Sequence, residues 1–184
     1  AQVVINEIHY NPSGAQGSDS DYEFMELYNP GATDIDMSGY SFTQGVTHVF
    51  ADGTTLAAGA YLLVCVDATF YASVVNDGTN GAAVVDTATW TSGSLSNGGE
   101  DIEIVDAGGN VVDFVDYEDG SNSYGNWGTS HDGGGPSLEL LDPIFDNSDA
   151  ANWQSSWVAG GTPGASVSSE PTPTVTTIYN IQYT

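Results

Sequence analysis

Acidic side chains are the groups in this sequence whose types and spacing could do chemistry. Asp19, Asp21 and Glu23 alternate along residues 18–23, and alternate side chains of an extended segment point to one side. A hard cation such as Ca²⁺ takes six to eight oxygen ligands, which carboxylates supply. This spacing predicts a calcium site, and the alternative is a solvated acidic loop.

Two further sets of acids could contribute to calcium binding. Asp142, Asp146 and Asp149 form a looser cluster, although Asp residues are equally suited to turn and cap positions. Glu7 and Glu26 occur inside apolar runs, so a two-residue period directs at least one of them towards apolar neighbours. A semi-buried glutamate needs either backbone N–H donors at a sandwich rim or a metal ion.

The sequence contains 25 Asp and Glu residues, no Lys or Arg, and three histidines, which gives a formal charge of −25. The carboxylates must therefore be protonated, solvated, bonded to N–H groups or neutralised by cations. Binding of nucleic acids or anionic lipids through basic side chains is excluded. We expect stability to rise with salt or divalent ions, because the charge repels itself.

Catalytic motifs are missing from the sequence. His9, His48 and His131 are not accompanied by a nucleophile elbow, a zinc-binding helix or a phosphate-binding loop. The sequence therefore predicts a protein that is not an enzyme. An alternative role is glycan binding through exposed aromatic residues, although packing in the core or at its rim competes for the four tryptophans: Trp90, Trp127, Trp153 and Trp157.

Short β-branched and aromatic runs separated by Gly, Asn and Asp predict an all-β sandwich or barrel. The runs are residues 3–10, 22–28, 40–42, 46–50 and 61–66. Residues 101–105 and 111–117 predict a hairpin across a glycine-containing turn. The sequence predicts a helix only at residues 67–75, with Asp67 as its N-cap. Cys65, the single cysteine, lies in an apolar run and predicts a buried thiol.

The composition changes near the C-terminus. We predict a domain at residues 1–166, a Ser/Thr/Pro linker at 167–174 and a β-strand tail at 175–184. The side chains of this predicted assembly strand are Val175, Ile178, Tyr179, Ile181 and Tyr183. No segment is long and apolar enough to insert into a membrane. A start at Ala1 rather than Met predicts a mature end left by signal-peptide removal, and hence secretion.

Several motifs in order resemble the bacterial lamin-tail domain family. They are VINEIHYNP at 4–12, EFMELYNP at 23–30, IDMSGY at 35–40, LSNGGEDIEI at 95–104, VVDFVDY at 111–117, GGGPSLEL at 133–140 and GGTPGA at 160–165. The resemblance implies an immunoglobulin-like β-sandwich without catalytic residues. It also implies a secreted or surface setting, including that of extracellular nucleases. The segment 177–182, TIYNIQ, resembles the first strand of an OB-fold domain that follows this module in such nucleases.

These observations favour a non-enzymatic extracellular structural module. We expect it to form a homo-oligomer or polymer, a fibre or surface array, in which the C-terminal strand adds to the sheet of a neighbouring subunit. Cations, calcium among them, would offset the acidic surface. Alternatively, the tail folds back onto its own sandwich. A second alternative is an accessory or anchoring module of a secreted exoenzyme that binds cell-surface glycan.

Overall fold

A computed structural model describes residues 2–75, 86–120 and 127–170. The strands in this part of the chain are β1 (Val4–His9), β2 (Phe24–Tyr28), β3 (Ile35–Asp36), β4 (Ser41–Gln44), β5 (Val46–Val49), β6 (Thr55–Leu56), β7 (Tyr61–Cys65), β8 (Asp86–Thr89), β9 (Ser92–Gly93), β10 (Glu100–Val105), β11 (Val111–Tyr117), β12 (Pro136–Leu140) and β13 (Trp153–Ala159). The helices are α1 (Asp19–Tyr22) and α2 (Ala68–Val75), with a 3₁₀ turn at Ala150–Asn152.

Two sheets stack to form the sandwich. One has the strand order β13-β12-β1-β2-β7-β8 and the other β11-β10-β4-β5-β9, while β3 and β6 form a separate ribbon. The inner faces meet in one apolar core that includes Ile5, Met25, Leu27, Phe42, Ile102 and Leu138. The five predicted runs and the predicted hairpin all form strands. The prediction of an all-β, immunoglobulin-like sandwich is confirmed.

A β-bulge in β1 explains why neither face of this strand is purely apolar in sequence. Ile5 pairs with Leu27 and Glu7 pairs with Glu26, so Asn6 is an extra residue with no counterpart on β2. A bulge reverses the alternation of side chains that follow it. Consequently Ile5 faces the core before the bulge and Ile8 after it, while Glu7 lies on the outer face.

Helix α2 confirms a prediction from the sequence, whereas α1 corrects one. α2 begins after Asp67, whose carboxylate accepts the N–H groups of Thr69 (2.9 Å) and Phe70 (3.0 Å), as predicted for an N-cap. The extended conformation predicted for residues 18–23 is wrong, because Asp19–Tyr22 forms a single helical turn. The Ser18 hydroxyl donates to Asp21 (2.8 Å), which links the start of this turn to its third residue.

The outer face of the six-stranded sheet is covered in two parts. Over β7, Tyr71 of α2 packs on Phe24, Leu63 and Cys65. The Cys65 thiol is buried as predicted, and this burial raises its pKa to about 12. Over β12, β1 and β2, the cover is the segment of residues 160–168 that follows β13, called the strap below. The predicted assembly strand at 175–184 lies outside the described residues.

Candidate functional site

Three glutamates lie side by side on the outer face of the six-stranded sheet. Glu7 on β1 pairs with Glu139 on β12 and with Glu26 on β2. Directly opposed residues on antiparallel strands have Cβ atoms roughly 5 Å apart. All three side chains are buried, with at most 1% of their surface exposed. We call Glu139, Glu7 and Glu26 the glutamate row.

The strap crosses the row and returns. It runs from the end of β13 over β1 and β2, then back to β12. Each glutamate accepts one backbone N–H group from it: Thr162 donates to Glu7 (2.9 Å), Gly164 to Glu26 (2.5 Å) and Ser168 to Glu139 (2.9 Å). The sequence left open a choice between backbone donors and a metal ion for the semi-buried glutamates, and this geometry supplies the donors.

Neutral side chains add further donors to the row. The Ser137 hydroxyl donates to Glu7 (2.6 Å), and the amide of the bulged Asn6 donates to Glu26 (2.9 Å). Glu139 accepts the remaining bonds, from the Thr162 hydroxyl (2.8 Å), the Ser168 hydroxyl (2.5 Å) and the Gln154 amide (3.2 Å). These donors are uncharged, as they must be in a chain without Lys or Arg.

Burial and mutual repulsion favour the protonated forms of Glu7 and Glu26. Burial, followed by the charges of Glu26 and Glu139, raises the pKa of Glu7 well above its usual range. Burial likewise raises the pKa of Glu26 to about 8, against the opposing effect of its bonds from Gly164 and Asn6. Closely spaced carboxylates in a dry site cannot all ionise without a cation. The row can therefore hold protons at neutral pH.

The acids of residues 18–23 do not converge as predicted. Asp19 accepts from the Asn97 amide (3.0 Å), Asp21 is exposed, and Glu23 is buried beneath them. Glu23 accepts the backbone N–H of Leu95 (2.9 Å), and its burial raises its pKa to about 7. The helical turn is the physical reason, because it directs successive side chains around an axis instead of alternating them.

The acids of residues 142–149 occupy turns. Asp142, Asp146 and Asp149 each accept the backbone N–H group two residues further on, at 3.0, 3.1 and 3.0 Å. Asp149 also begins the 3₁₀ turn. Within residues 2–75, 86–120 and 127–170, no group of three or more His, Cys, Asp or Glu side chains is placed to hold a metal ion. Calcium binding stays a prediction.

Glu139 is the member of the row that our sequence analysis did not identify. Its strand, PSLEL, carries a single glutamate among apolar residues, as the strands of Glu7 and Glu26 do. That shared pattern could have identified Glu139 as a further buried glutamate. Which strands become neighbours depends on long-range pairing, however, so the sequence alone did not place the three acids together.

The strand β13 forms one edge of the six-stranded sheet. Trp157 and Val158 on it are exposed by 51% and 50%, whereas the other three tryptophans are at most 7% exposed. The Ser168 hydroxyl accepts the backbone N–H of Trp157 (2.8 Å), and its carbonyl accepts from the Gln154 amide (2.8 Å). The strap therefore ends beside this edge.

A groove of about 730 Å³ lies between α1 and the residues that follow β8. Asp19, Ser92 and Asn97 supply polar groups to it, and Trp90 and Leu95 supply apolar walls. The Trp90 indole N–H donates to the Gly93 carbonyl (3.2 Å), so this side chain is held within the wall.

Two of the histidines connect separate segments of the chain. The ring nitrogens of His9 lie 2.9 Å from the Tyr22 carbonyl and 3.1 Å from that of Gly135. Burial lowers the pKa of His9, and these two bonds oppose that effect. His131 lies between the Tyr10 hydroxyl (2.7 Å) and the Trp127 carbonyl (3.0 Å). These contacts fasten the loops to the sandwich.

No helix in the described part of the chain has both the length and the apolar character needed to cross a bilayer. A comparison with curated proteins finds no match to this chain. The model of the lamin tail domain family matches residues 1–119, which include β1 to β11 with Glu7 and Glu26. This family consists of non-catalytic immunoglobulin-like domains. Because the match covers more than half of the 184 residues, the chain belongs to the lamin tail domain family.

Proposed function

We propose that the protein is a non-enzymatic extracellular structural module that assembles into a fibre or surface array. Residues 175–184 of one copy add as a strand to β13 of the next copy. The observation that carries this proposal is the position of the strap, whose last contacts lie against the exposed edge of β13. The last residue of the strap, Ser168, therefore lies next to an edge strand, and edge strands present backbone hydrogen-bonding groups.

The chemistry of strand addition suits this composition. Backbone N–H and C=O groups supply the bonds, so the contact needs no Lys or Arg. The exposed Trp157 and Val158 add apolar surface at the same edge. A ten-residue strand spans roughly 33 Å, which exceeds the length of the seven-residue β13. A head-to-tail contact that does not close on itself produces a filament.

The test compares the full chain with a chain ending at residue 170, by negative-stain electron microscopy and sedimentation velocity. Ending at 170 instead of 166 keeps the contacts of Ser168 with Glu139 and Trp157, so only linker residues 171–174 and the tail are lost. We expect polymers from the full chain and monomers from the shortened chain. Unchanged thermal unfolding of the shortened chain would show that its sandwich is intact.

A pair of substitutions tests the edge itself. Val158→Asp places a charge on the β13 edge, which blocks edge-to-edge pairing. Val49→Asp on β5, 62% exposed, adds the same charge elsewhere and is the matched control. We expect polymers from V49D but not from V158D. Equal loss in both variants would attribute the effect to net charge, and polymers from the chain ending at 170 would refute tail addition.

Cations are expected to promote both stability and assembly. With a net charge of −25, raising the ionic strength from about 0.02 M to about 0.5 M should raise the melting temperature, because the Debye length falls from roughly 20 Å to about 4 Å. Thermal unfolding in calcium chloride and in sodium chloride at equal ionic strength distinguishes specific calcium binding from charge screening. A larger effect of calcium indicates a specific site, and equal effects indicate screening.

The alternative function is glycan or surface binding as an accessory module of a secreted exoenzyme. The groove beside Trp90 favours it, because hydroxyl, amide and carboxylate groups there stand next to apolar walls. Only Trp157 among the tryptophans offers an exposed ring, however, and a stacking platform normally uses exposed aromatic faces. A chain that stays monomeric in every condition and binds glycans on an array would establish this alternative.

A further inference from the structure

The glutamate row and the strap together form a structure whose stability must depend on protons. Three neighbouring carboxyl groups lie under the strap with at most 1% exposure, and the whole chain contains no Lys or Arg to neutralise them. A single carboxylate is well stabilised by N–H donors, but three adjacent charges in a dry site repel one another strongly. Ionisation of the complete row requires water or cations, and both require the strap to move.

We propose that the strap is a protonation-dependent clasp, closed over the glutamate row while Glu7 or Glu26 keeps a proton and lifted when both are ionised. The clasp goes beyond the assembly proposed above and does not depend on it. It concerns residues 160–168, whose last residue, Ser168, is held against β13. Lifting the clasp would release Ser168 from β13.

Among residues 2–75, 86–120 and 127–170, no other group near the row can neutralise it. Tyr61 on β7 faces the row, and burial with the charges of Glu26 and Glu7 raises the pKa of Tyr61 to about 12. Tyr28 stacks on Tyr61, with ring centroids 4.6 Å apart. Burial raises the pKa of Tyr71 on α2, and the charge of Glu7 adds to this effect. His9, on the same strand as Glu7, is bonded to two carbonyl groups. The strap and β13 contain no titratable residue.

Proton binding sets the direction of the effect. The closed row holds at least one proton at neutral pH, because burial raises the pKa of Glu26 to about 8 and that of Glu7 well above its usual range. A solvated row loses its protons nearer to the ordinary glutamate pKa of about 4.3. Closing is therefore favoured at acidic pH and weakens as the pH rises, until the closed row also ionises.

The test is amide hydrogen exchange of the full chain, measured residue by residue by NMR. The probes are the N–H groups of Thr162, Gly164 and Ser168, with amides of β10 as a reference for global unfolding. After correction for intrinsic exchange rates, we expect strap protection to fall at least about tenfold per pH unit between about pH 5 and about pH 8. The reference amides should stay more protected than the strap throughout.

Glutamine variants assign the effect to the row. E7Q/E26Q removes both charges but keeps carbonyl acceptors for Thr162 and Gly164, so its strap protection should become nearly independent of pH. The matched control is E23Q, which removes a buried glutamate with a pKa of about 7 away from the strap. E23Q should retain the wild-type slope.

Two results would overturn the clasp. One is wild-type strap protection that does not change across this pH range, which needs no variant to be observed. The other is a slope that E23Q abolishes as fully as E7Q/E26Q does, because the loss would then be global. The assembly proposal fails separately, if the full chain forms no polymers while the strap amides still respond to pH.

Discussion

The free energy of unfolding is expected to decrease as the pH rises from about 5 to about 8, the reverse of ordinary acid denaturation. Glu7 and Glu26 each have a folded-state pKa above the unfolded value, because burial penalises their charged forms. Such groups bind more protons in the folded state. Their contribution is complete below the unfolded pKa and is lost as the pH passes through the folded pKa.

The expected loss is large. One proton retained by the folded state changes the stability by roughly 1.4 kcal/mol per pH unit. For Glu26, whose pKa rises to about 8, the window from about pH 4.3 to about pH 8 corresponds to roughly 5 kcal/mol. Urea denaturation followed by tryptophan fluorescence, at several pH values and constant ionic strength, measures the change.

The variant E7Q/E26Q separates the row from the general repulsion among 25 acids. Both effects weaken the fold as the pH rises, but only the contribution of the row disappears in the variant. We expect a distinctly shallower pH dependence for E7Q/E26Q than for the wild type. A wild-type protein that becomes more stable between about pH 5 and about pH 8 would contradict the assignment, since it would show carboxylates stabilised in their ionised form.

Gly161→Ala is expected to destabilise the protein by roughly 2–5 kcal/mol, the second large effect. Gly161 has φ of +76° and lies directly over the row, where an added Cβ atom would overlap Oε1 of Glu7 and Oγ of Ser137. The strap must shift to relieve this overlap. The shift would break the bond from Thr162 to Glu7 and leave a buried carboxyl group without that donor. Thermal and urea unfolding measure the loss.

The adjacent glycine is a matched control for backbone strain. Gly160 also has a positive φ, +89°, but the atom nearest to a Cβ added there is Nε2 of Gln16, at 3.5 Å. Gly160→Ala should therefore cost only the strain of the left-handed conformation, about 1–2 kcal/mol. Equal losses in G160A and G161A would show that the strap does not press on Glu7 as described.

The sequence predicted the strands well because half-buried strands alternate apolar and polar residues, and this alternation is local. Two local features do not follow from this alternation, the bulge in β1 and the helical turn at residues 18–23. An extra residue at Asn6 reverses the alternation without any change in composition, so a strict two-residue period would place Glu7 on the face of Ile5. At Asp19–Tyr22 a single turn of helix replaced the expected extended chain, and one turn is too short to show a helical period.

The sequence predicted the glutamate row only in part. The apolar neighbours of Glu7 and Glu26 indicated burial, and the lack of basic residues indicated neutral donors. Identifying those donors required the pairing of Glu7 with Glu139, two residues far apart in sequence, and the path of the strap back across the sheet. Both depend on long-range contacts that no local pattern encodes.

The bulge at Asn6 determines how β1 would respond to the loss of one residue. Removing Asn6 would leave Val3, Ile5, Ile8 and Tyr10, all core residues, in perfect alternation with the outward residues between them. Deletion of Asn6 would therefore keep these core residues facing inward without the bulge. What the deletion removes is the Asn6 amide that donates to Glu26. The extra residue of β1 thus supplies Glu26 with a neutral donor in place of a positive charge.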